Sequence, residues 1–312
     1  MKAKDWLAFI ALGTIWGSSF LWIKLAVQET SPAMLVAFRL LFAILTLSVV
    51  VLFARPRWPH DRRLWLFMFI FGFTNSLIPY VLISWGELYI DSAVAAILNS
   101  TTPLFAMIIA HLLLSDDRIT LPRLAGLVIG FIGIVILVSR DLNGELARLF
   151  QPSQAIQLAS ISLPGFSAAN FALLGQLAVL LASLFYAFSS VFARRNMRDL
   201  SPIIQGLVPL LGADAFLWIL LSQVEQPLVL PTLPITWISL LWLGILGTGL
   251  AFLLYFYLIH AVGPTRATLV TYVFPLVGVI LGVLILHEQL DWQLAVGGAL
   301  IVGSIVVVNQ KS

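Results

Sequence analysis

The sequence contains no cysteine among its 312 residues, so disulfides and thiolate metal sites are excluded. Charge is scarce as well: 10% of the residues are Asp, Glu, Lys or Arg, against about 25% in soluble domains. No G-x-x-x-x-G-K-[ST] run occurs, which excludes an ATP site of the P-loop kind. H-E-x-x-H is missing too, and His60, His111, His260 and His287 are scattered, so neither metal nor hydrolase chemistry has a constellation to work with. No basic cluster interleaved with aromatics lies on a polar segment, so nucleic acid is not a partner. These absences leave a chain expected to be neither an enzyme nor a cofactor protein.

Apolar residues fill the space that charge vacates. They make up 61% of the chain, and mean hydropathy is +1.04. A spanning helix needs about 20 such residues to cross a core of about 30 Å. Ten windows qualify, roughly 6–27, 33–53, 64–86, 92–114, 122–139, 173–193, 202–222, 236–258, 264–286 and 292–309. Pro32, Pro202 and Pro264 mark helix starts, because proline is tolerated in a helix's first turn. Strands of a membrane barrel would alternate in polarity, whereas these runs are apolar on every side. The predicted fold is an all-α integral membrane bundle of ten transmembrane helices. The first run follows Lys2 and Lys4 but exceeds 20 residues and lacks a small-x-small cleavage site, so it reads as a retained span.

Lysine and arginine favour the cytoplasmic side of a membrane. With the N-terminus inside, ARPRWPHDRR, SDDRITLPR, ARRNMRD and GPTR all fall on that side, together with both termini. The orientation is N-in/C-in. At a lag of 172 residues Trp65 meets Trp237, Gly72 meets Gly244, Pro103 meets Pro275 and Gly126 meets Gly298. At 170, Ser31-Pro32 meets Ser201-Pro202 and Trp16 meets Tyr186. A duplication with five spans per half must enter the membrane from opposite sides, giving two inverted five-helix repeats, an arrangement that recurs in secondary transporters. The expected units are a first repeat over 1–140, an extracytoplasmic linker over 141–172 and a second repeat over 173–312. Leu142, Leu146, Leu149 and Phe150 are spaced for one helical face, so part of the linker reads either as a surface helix or as irregular chain.

The segments GTIWGSSFLWIKLA, AVAAILNSTTPLFAMIIAHLLLSDDRITLPRLAGLVIGFIGIVIL and GTGLAFLLYFYLIHAVGPTRATLVTYVFPLVGVILGVLILHEQLDWQLAVGGALIVG resemble the drug/metabolite transporter superfamily, specifically its EamA family. In the second half His287 stands where that family usually has glycine, and SDDRI replaces its usual turn in the first half. The resemblance implies a central cavity between the repeats and movement of small metabolites such as amino acids, outward, without ATP. It also implies a bacterial inner (plasma) membrane location. The other reading is an uncoupled channel or a lipid-translocating protein. Partners are then a small-molecule substrate and membrane lipid, with protons the candidate coupling ion. One chain holds both repeats, so oligomerisation is not required.

Ionisable groups within spans are costly and by default suggest function. Arg39 lies about 10 Å deep from the outer edge and Asp214 about 12 Å, counted at about 1.5 Å per residue. This equal depth in the second span of each half predicts that the two pair or share a substrate's charges, or form a structural ion pair. Glu87 reads as a solvated helix end, with a proton-coupling carboxylate as the alternative, and Lys24 as a snorkelling side chain. The candidate substrate-binding set is Trp16, Ser19, Arg39, Tyr80, Asn99, Tyr186, Asp214 and Tyr272. Gly126, Gly130, Gly133, Gly297, Gly298 and Gly303 read as helix-packing positions.

The polar run NSTTPLF interrupts an apolar span. Pro103 cannot donate to the carbonyl of Asn99, nor Pro275 to that of Thr271, and lipid could not satisfy the carbonyls so freed. Pro103 and Pro275 are therefore candidate hinges beside the cavity.

Overall fold

A computed structural model describes residues 2–113, 120–149, 168–198, 200–262, 270–271 and 273–309. Helices dominate, and no strand occurs among the described residues. In chain order they are α1 (Ala3–Ala26), α2 (Pro32–Ala54), α3 (Arg62–Gly72), α4 (Ile78–Gly86), α5 (Ser92–Asn99), α6 (Thr102–Leu113) and α7 (Leu121–Leu149). The second half holds α8 (Ala168–Asn196), α9 (Pro202–Val224), α10 (Pro234–Leu241), α11 (Ala251–Val262), α12 (Val273–Ile285) and α13 (Trp292–Asn309). One π-helical segment, Phe73–Leu77, joins α3 to α4, and another, Trp242–Leu250, joins α10 to α11.

Seven continuous runs are long and apolar enough to cross a membrane: Ala3–Ala26, Pro32–Ala54, Arg62–Gly86, Ser92–Leu113, Asn170–Asn196, Pro202–Val224 and Pro234–Tyr255. The other three expected spans correspond to shorter apolar helices, Arg123–Ser139, Val273–Ile285 and Trp292–Val307. The helix holding the first of these does not stop at residue 140 but continues to Leu149, into the stretch expected to be linker.

Local chemistry accounts for most of the ends. Pro32, Pro202 and Pro234 each open a helix, where a missing N–H costs nothing. Ser31 accepts from the Met34 N–H at 3.1 Å, Asp61 from Arg63 at 2.9 Å and Asp291 from Leu294 at 2.9 Å. Pro264 lies outside the described residues. His287 adopts φ 57°, in the left-handed region where a side chain costs about 1–2 kcal/mol, which explains why glycine suits this position better.

α2 packs on α9 and on the second π segment, α1 on α12 and α11, α4 on α8, and α7 on α13. The last pair touches through glycines: a Cβ on Gly133 would lie 2.8 Å from the Gly297 carbonyl oxygen, and one on Gly297 would lie 3.0 Å from that of Gly133. Gly130 and Gly298 are equally confined, whereas nothing approaches Gly303. Both halves use the same details. Trp65 Nε1 donates to the Pro59 carbonyl at 3.2 Å, and Trp237 Nε1 to the Pro231 carbonyl at 3.0 Å. Gly72 abuts the Pro209 carbonyl as Gly244 abuts that of Arg39.

The turn between α1 and α2 is tied to the start of α10. The Glu29 carboxylate accepts from the Thr232 N–H at 2.6 Å, the Thr232 hydroxyl at 2.7 Å and the Thr236 hydroxyl at 2.6 Å. These bonds, that of the Thr232 hydroxyl first, hold the Glu29 carboxyl down to about 2 from its ordinary 4.5. A depressed folded-state value stabilises the fold above the unfolded value and loses that contribution as pH falls through the folded one. The unfolding midpoint should therefore drop between about pH 4.5 and pH 2, and thermal unfolding of Glu29→Gln in detergent should show a shallower dependence across that window.

Candidate functional site

The helices enclose a cavity of about 400 Å³ that draws on both halves of the chain. Trp16, Ser19, Arg39, Tyr80 and Asn99 line it from the first half, and Tyr186, Gln205, Tyr255 and Thr271 from the second. Six of the eight residues expected to bind substrate thus surround one space. Tyr272 lies outside the described residues.

Asp214 is elsewhere. It is buried, but it does not line the cavity, and its Oδ1 has no hydrogen-bond partner among the described residues. The predicted pairing with Arg39 is corrected accordingly. Arg39 Nε donates instead to the Thr248 hydroxyl at 3.0 Å, and the guanidinium lies 3.7 Å from the centroid of the Tyr80 ring. Equal depth counted along the chain did not bring the two side chains together. At a lag of 170 Arg39 meets Pro209, and Asp214 is five residues further on, rotated by about 140° at about 100° per residue.

The arginine is held by an irregular piece of backbone. Thr248 belongs to the second π segment, and its hydroxyl also donates to the Leu243 carbonyl, five residues back, at 3.0 Å. The widened turn presents the threonine oxygen to Arg39, and such segments often occur at functional sites. Trp16 Nε1 donates to the Gly247 carbonyl in the same segment at 3.1 Å, which fixes the indole against the cavity. Its ring meets Tyr255 at 5.5 Å and Phe274 at 5.6 Å between centroids. Tyr80 and Tyr186 face each other edge-on at 6.4 Å.

Asn99, Thr102 and Thr271 all border the cavity. α5 stops at Asn99 and α6 starts at Thr102, so Pro103 sits in the first turn of a new helix rather than inside a kinked one. The Asn99 carbonyl freed by Pro103 accepts from the Thr102 hydroxyl at 2.8 Å, and Ser183 donates to the Asn99 side chain at 3.4 Å. Pro275 likewise falls in the first turn of α12. Asn75, Gln205 and Tyr255 were not in the expected set. The signal for Asn75 and Gln205 was available as isolated amides within apolar runs, and Gln205 now holds the Met197 and Leu200 carbonyls at 2.7 and 3.1 Å.

Of the residues lining the cavity Ser190 is exposed, whereas Phe20, Ile23, Arg39 and Ile83 are buried. Beyond them lies a set of ties. Glu288 accepts from the Ser92 N–H at 2.7 Å and the Ala93 N–H at 2.9 Å, so the second half of the chain caps α5 of the first. Lys24 does not snorkel: its Nζ donates to the Glu87 and Ile90 carbonyls at 2.6 and 2.8 Å. Glu87 is not a solvated helix end either. It is fully buried, with Lys24, Glu288 and Arg39 as its charged neighbours, and neither of its carboxylate oxygens has a partner among the described residues. Trp242 Nε1 donates to Ser18 Oγ at 3.1 Å and its ring lies 5.2 Å from that of Trp22. Among the described residues no group of three or more His, Asp or Glu could hold a metal ion.

Known proteins share this architecture. The sequence model of the EamA-like transporter family matches residues 4–139 and again residues 173–310. The chain is 28% identical to the uncharacterized inner membrane transporter YedA of Escherichia coli (strain K12), over 97% of this chain and 89% of that protein. It is 23% identical to the uncharacterized transporter YoaV of Bacillus subtilis (strain 168), over 96% and 94% of the two chains. It is 24% identical to an uncharacterized transporter of Archaeoglobus fulgidus, over 99% of each. A solved crystal structure superposes with a TM-score of 0.63 at 19% identity, covering 99% of this chain and 98% of the other, which establishes likeness of fold. The matched residues make up most of the chain, its apolar helices are those of a multi-pass membrane protein, and the chain belongs to the EamA-like transporter family.

Proposed function

We propose that the protein is a secondary transporter of the bacterial inner membrane, with ten spans in two inverted repeats, N-in/C-in, that alternate access to the central cavity. The observation that carries this reading is a cavity lined by both halves, whose buried residues Phe20, Ile23, Arg39 and Ile83 neighbour the ties between the halves at Glu288, and we take that side as its closed end. The two family matches, the paired π segments and the equivalent Trp65 and Trp237 bonds support the repeat, with 1–140 and 173–312 as its units and 141–172 as the linker. Trp16, Ser19, Arg39, Tyr80, Asn99 and Tyr186 are the substrate-contacting residues. The cargo is a small metabolite such as an amino acid, moved outward without ATP, and the protein is not an enzyme.

In this scheme the structure is the inward-facing state, and rocking of the repeats opens the other end. Protons are the proposed coupling ion, with Glu87 the carboxylate that takes them up: it is buried, unpartnered and next to the closed end. The direct test is counterflow in liposomes loaded with amino acids or other small metabolites, with and without a pH gradient. A carrier saturates, exchanges labelled for unlabelled solute, and accumulates it when the gradient is imposed. Flux without saturation would instead support a channel, and absence of any exchange across the metabolite panel would remove the carrier reading.

Pro103 and Pro275 are the proposed hinges: Pro103 opens α6 after the break at Asn99, and Pro275 lies near the start of α12, close to Thr271 of the cavity lining. Pro103→Ala restores a backbone donor opposite the Asn99 carbonyl and favours one continuous helix through the break. Counterflow rates should fall by at least about tenfold, since the roughly 3 kcal/mol that separates proline from alanine within a helix is a factor of about 150. Unchanged rates would make the break a static feature.

A further inference from the structure

Arg39 is the only charged side chain lining the cavity among the described residues. Neither Asp214 nor Glu87 reaches the lining, and buried Glu87, though a charged neighbour of Arg39, forms no hydrogen bond to it among the described residues, so no carboxylate there occupies the donors of the guanidinium. Its hydrogen bonding is incomplete. Nε is used by Thr248 and one face of the guanidinium is covered by Tyr80, while among the described residues the terminal nitrogens have no hydrogen-bond partner and are not sealed from the cavity. The residue itself is only 4% exposed. A cation this far from bulk water, with its fork of donors free, gains most from an anion that can accept two parallel N–H bonds.

We infer that the cavity takes solutes carrying a single carboxylate, which docks on the terminal nitrogens of Arg39. This rests on the carrier reading above and narrows its substrate class. The rest of the lining fits the rest of such a molecule: Trp16, Phe20, Tyr186 and Phe274 offer aromatic walls for an apolar body, and Asn99 and Thr271 offer neutral polar groups at the helix breaks. A cationic solute meets the guanidinium as the one charged group of the described lining, at close range and in a low dielectric, and is rejected. A neutral solute leaves the donors of Arg39 without the partner they lack. Thr248 is a positioning residue: it orients Arg39 from the π segment and leaves the outer edge of the fork to the ligand.

Three indoles that differ only in the terminal group test this: indole-3-acetate, indole-3-acetamide and tryptamine. Each is assayed for thermal shift of the purified full chain and for counterflow in liposomes. The acid is expected to shift and exchange, the amide to bind at least about tenfold more weakly, and the amine to do neither, since a hydrogen bond to a charged group is worth a factor of about ten or more. Arg39→Gln should lower the acid to the level of the amide, and Arg39→Lys should retain part of the difference. The comparison among solutes on the unaltered protein stands even where a variant fails to fold. Equal exchange of acid and amide, or exchange of tryptamine alone, overturns the carboxylate assignment and leaves the carrier reading intact. If all three are inert while members of the metabolite panel exchange, the assignment likewise falls. If nothing in either set exchanges, the carrier reading falls with it.

Discussion

Glu288→Ala is expected to open the closed end of the cavity. The carboxylate joins the second half of the chain to the first N–H groups of α5, which have no partner within their own helix. It lies over Gly282, where a Cβ would collide with Oε2, so the fold reserves space for this side chain. Losing two charge-assisted bonds costs about 1.5–3 kcal/mol for each group left dry, which is a factor of about ten or more in the balance between closed and open states. The chain has no cysteine, so a single Ile83→Cys substitution supplies a clean reporter at a position now 4% exposed. Labelling by an impermeant maleimide should rise at least about tenfold in the Glu288→Ala background, and Glu288→Gln, which keeps one acceptor, should lie between. A drop in unfolding temperature with unchanged labelling would show that Glu288 serves the fold and not the gate.

The second large effect is expected at two glycines. Gly72 lets α3 reach the backbone of α9 at Pro209, and Gly244 lets the second π segment reach the backbone of α2 at Arg39 and Ala43. A Cβ at Gly72 would lie 2.8 Å from the Pro209 carbonyl carbon, and one at Gly244 would lie 2.9 Å from the Arg39 carbonyl oxygen. Backbone atoms cannot swing aside as a side-chain tip can, so the helices must separate. Overpacking of this kind costs about 1–3 kcal/mol. Gly72→Ala and Gly244→Ala should both lower the unfolding temperature by several degrees, whereas Gly303→Ala, with open space around it, should leave it unchanged. Gly244→Ala should also weaken solute exchange beyond its effect on stability, because it displaces the backbone that carries Arg39. Equal losses of exchange in the Gly72 and Gly244 variants would argue against that added effect.

The sequence by itself determined the class of protein. Long apolar runs cannot be satisfied in water, and their length together with proline and charge at their ends marks helices locally, without knowledge of what they touch. The resemblance to the EamA family followed from local motifs in the same way, as did the polar break at NSTTPLF. Hydropathy also singled out polar and aromatic residues too deep for lipid, and six of the eight chosen line the cavity. What eluded it was rotation about each helix axis and the company each side chain keeps. Arg39 and Asp214 were expected at matching depths but have different neighbours, because a depth count uses chain position alone whereas direction is set by packing between helices far apart in sequence. Lys24 and Glu87 carry the charge expected of exposed ends, yet tertiary structure put the lysine on two carbonyls and shut the carboxylate away from water. The π segment that aims Thr248 at Arg39 has no local signature either, since a five-residue hydrogen bond competes with the usual four only where long-range packing favours it. Composition and periodicity are local quantities, and the electrostatic neighbourhood of a buried charge is not.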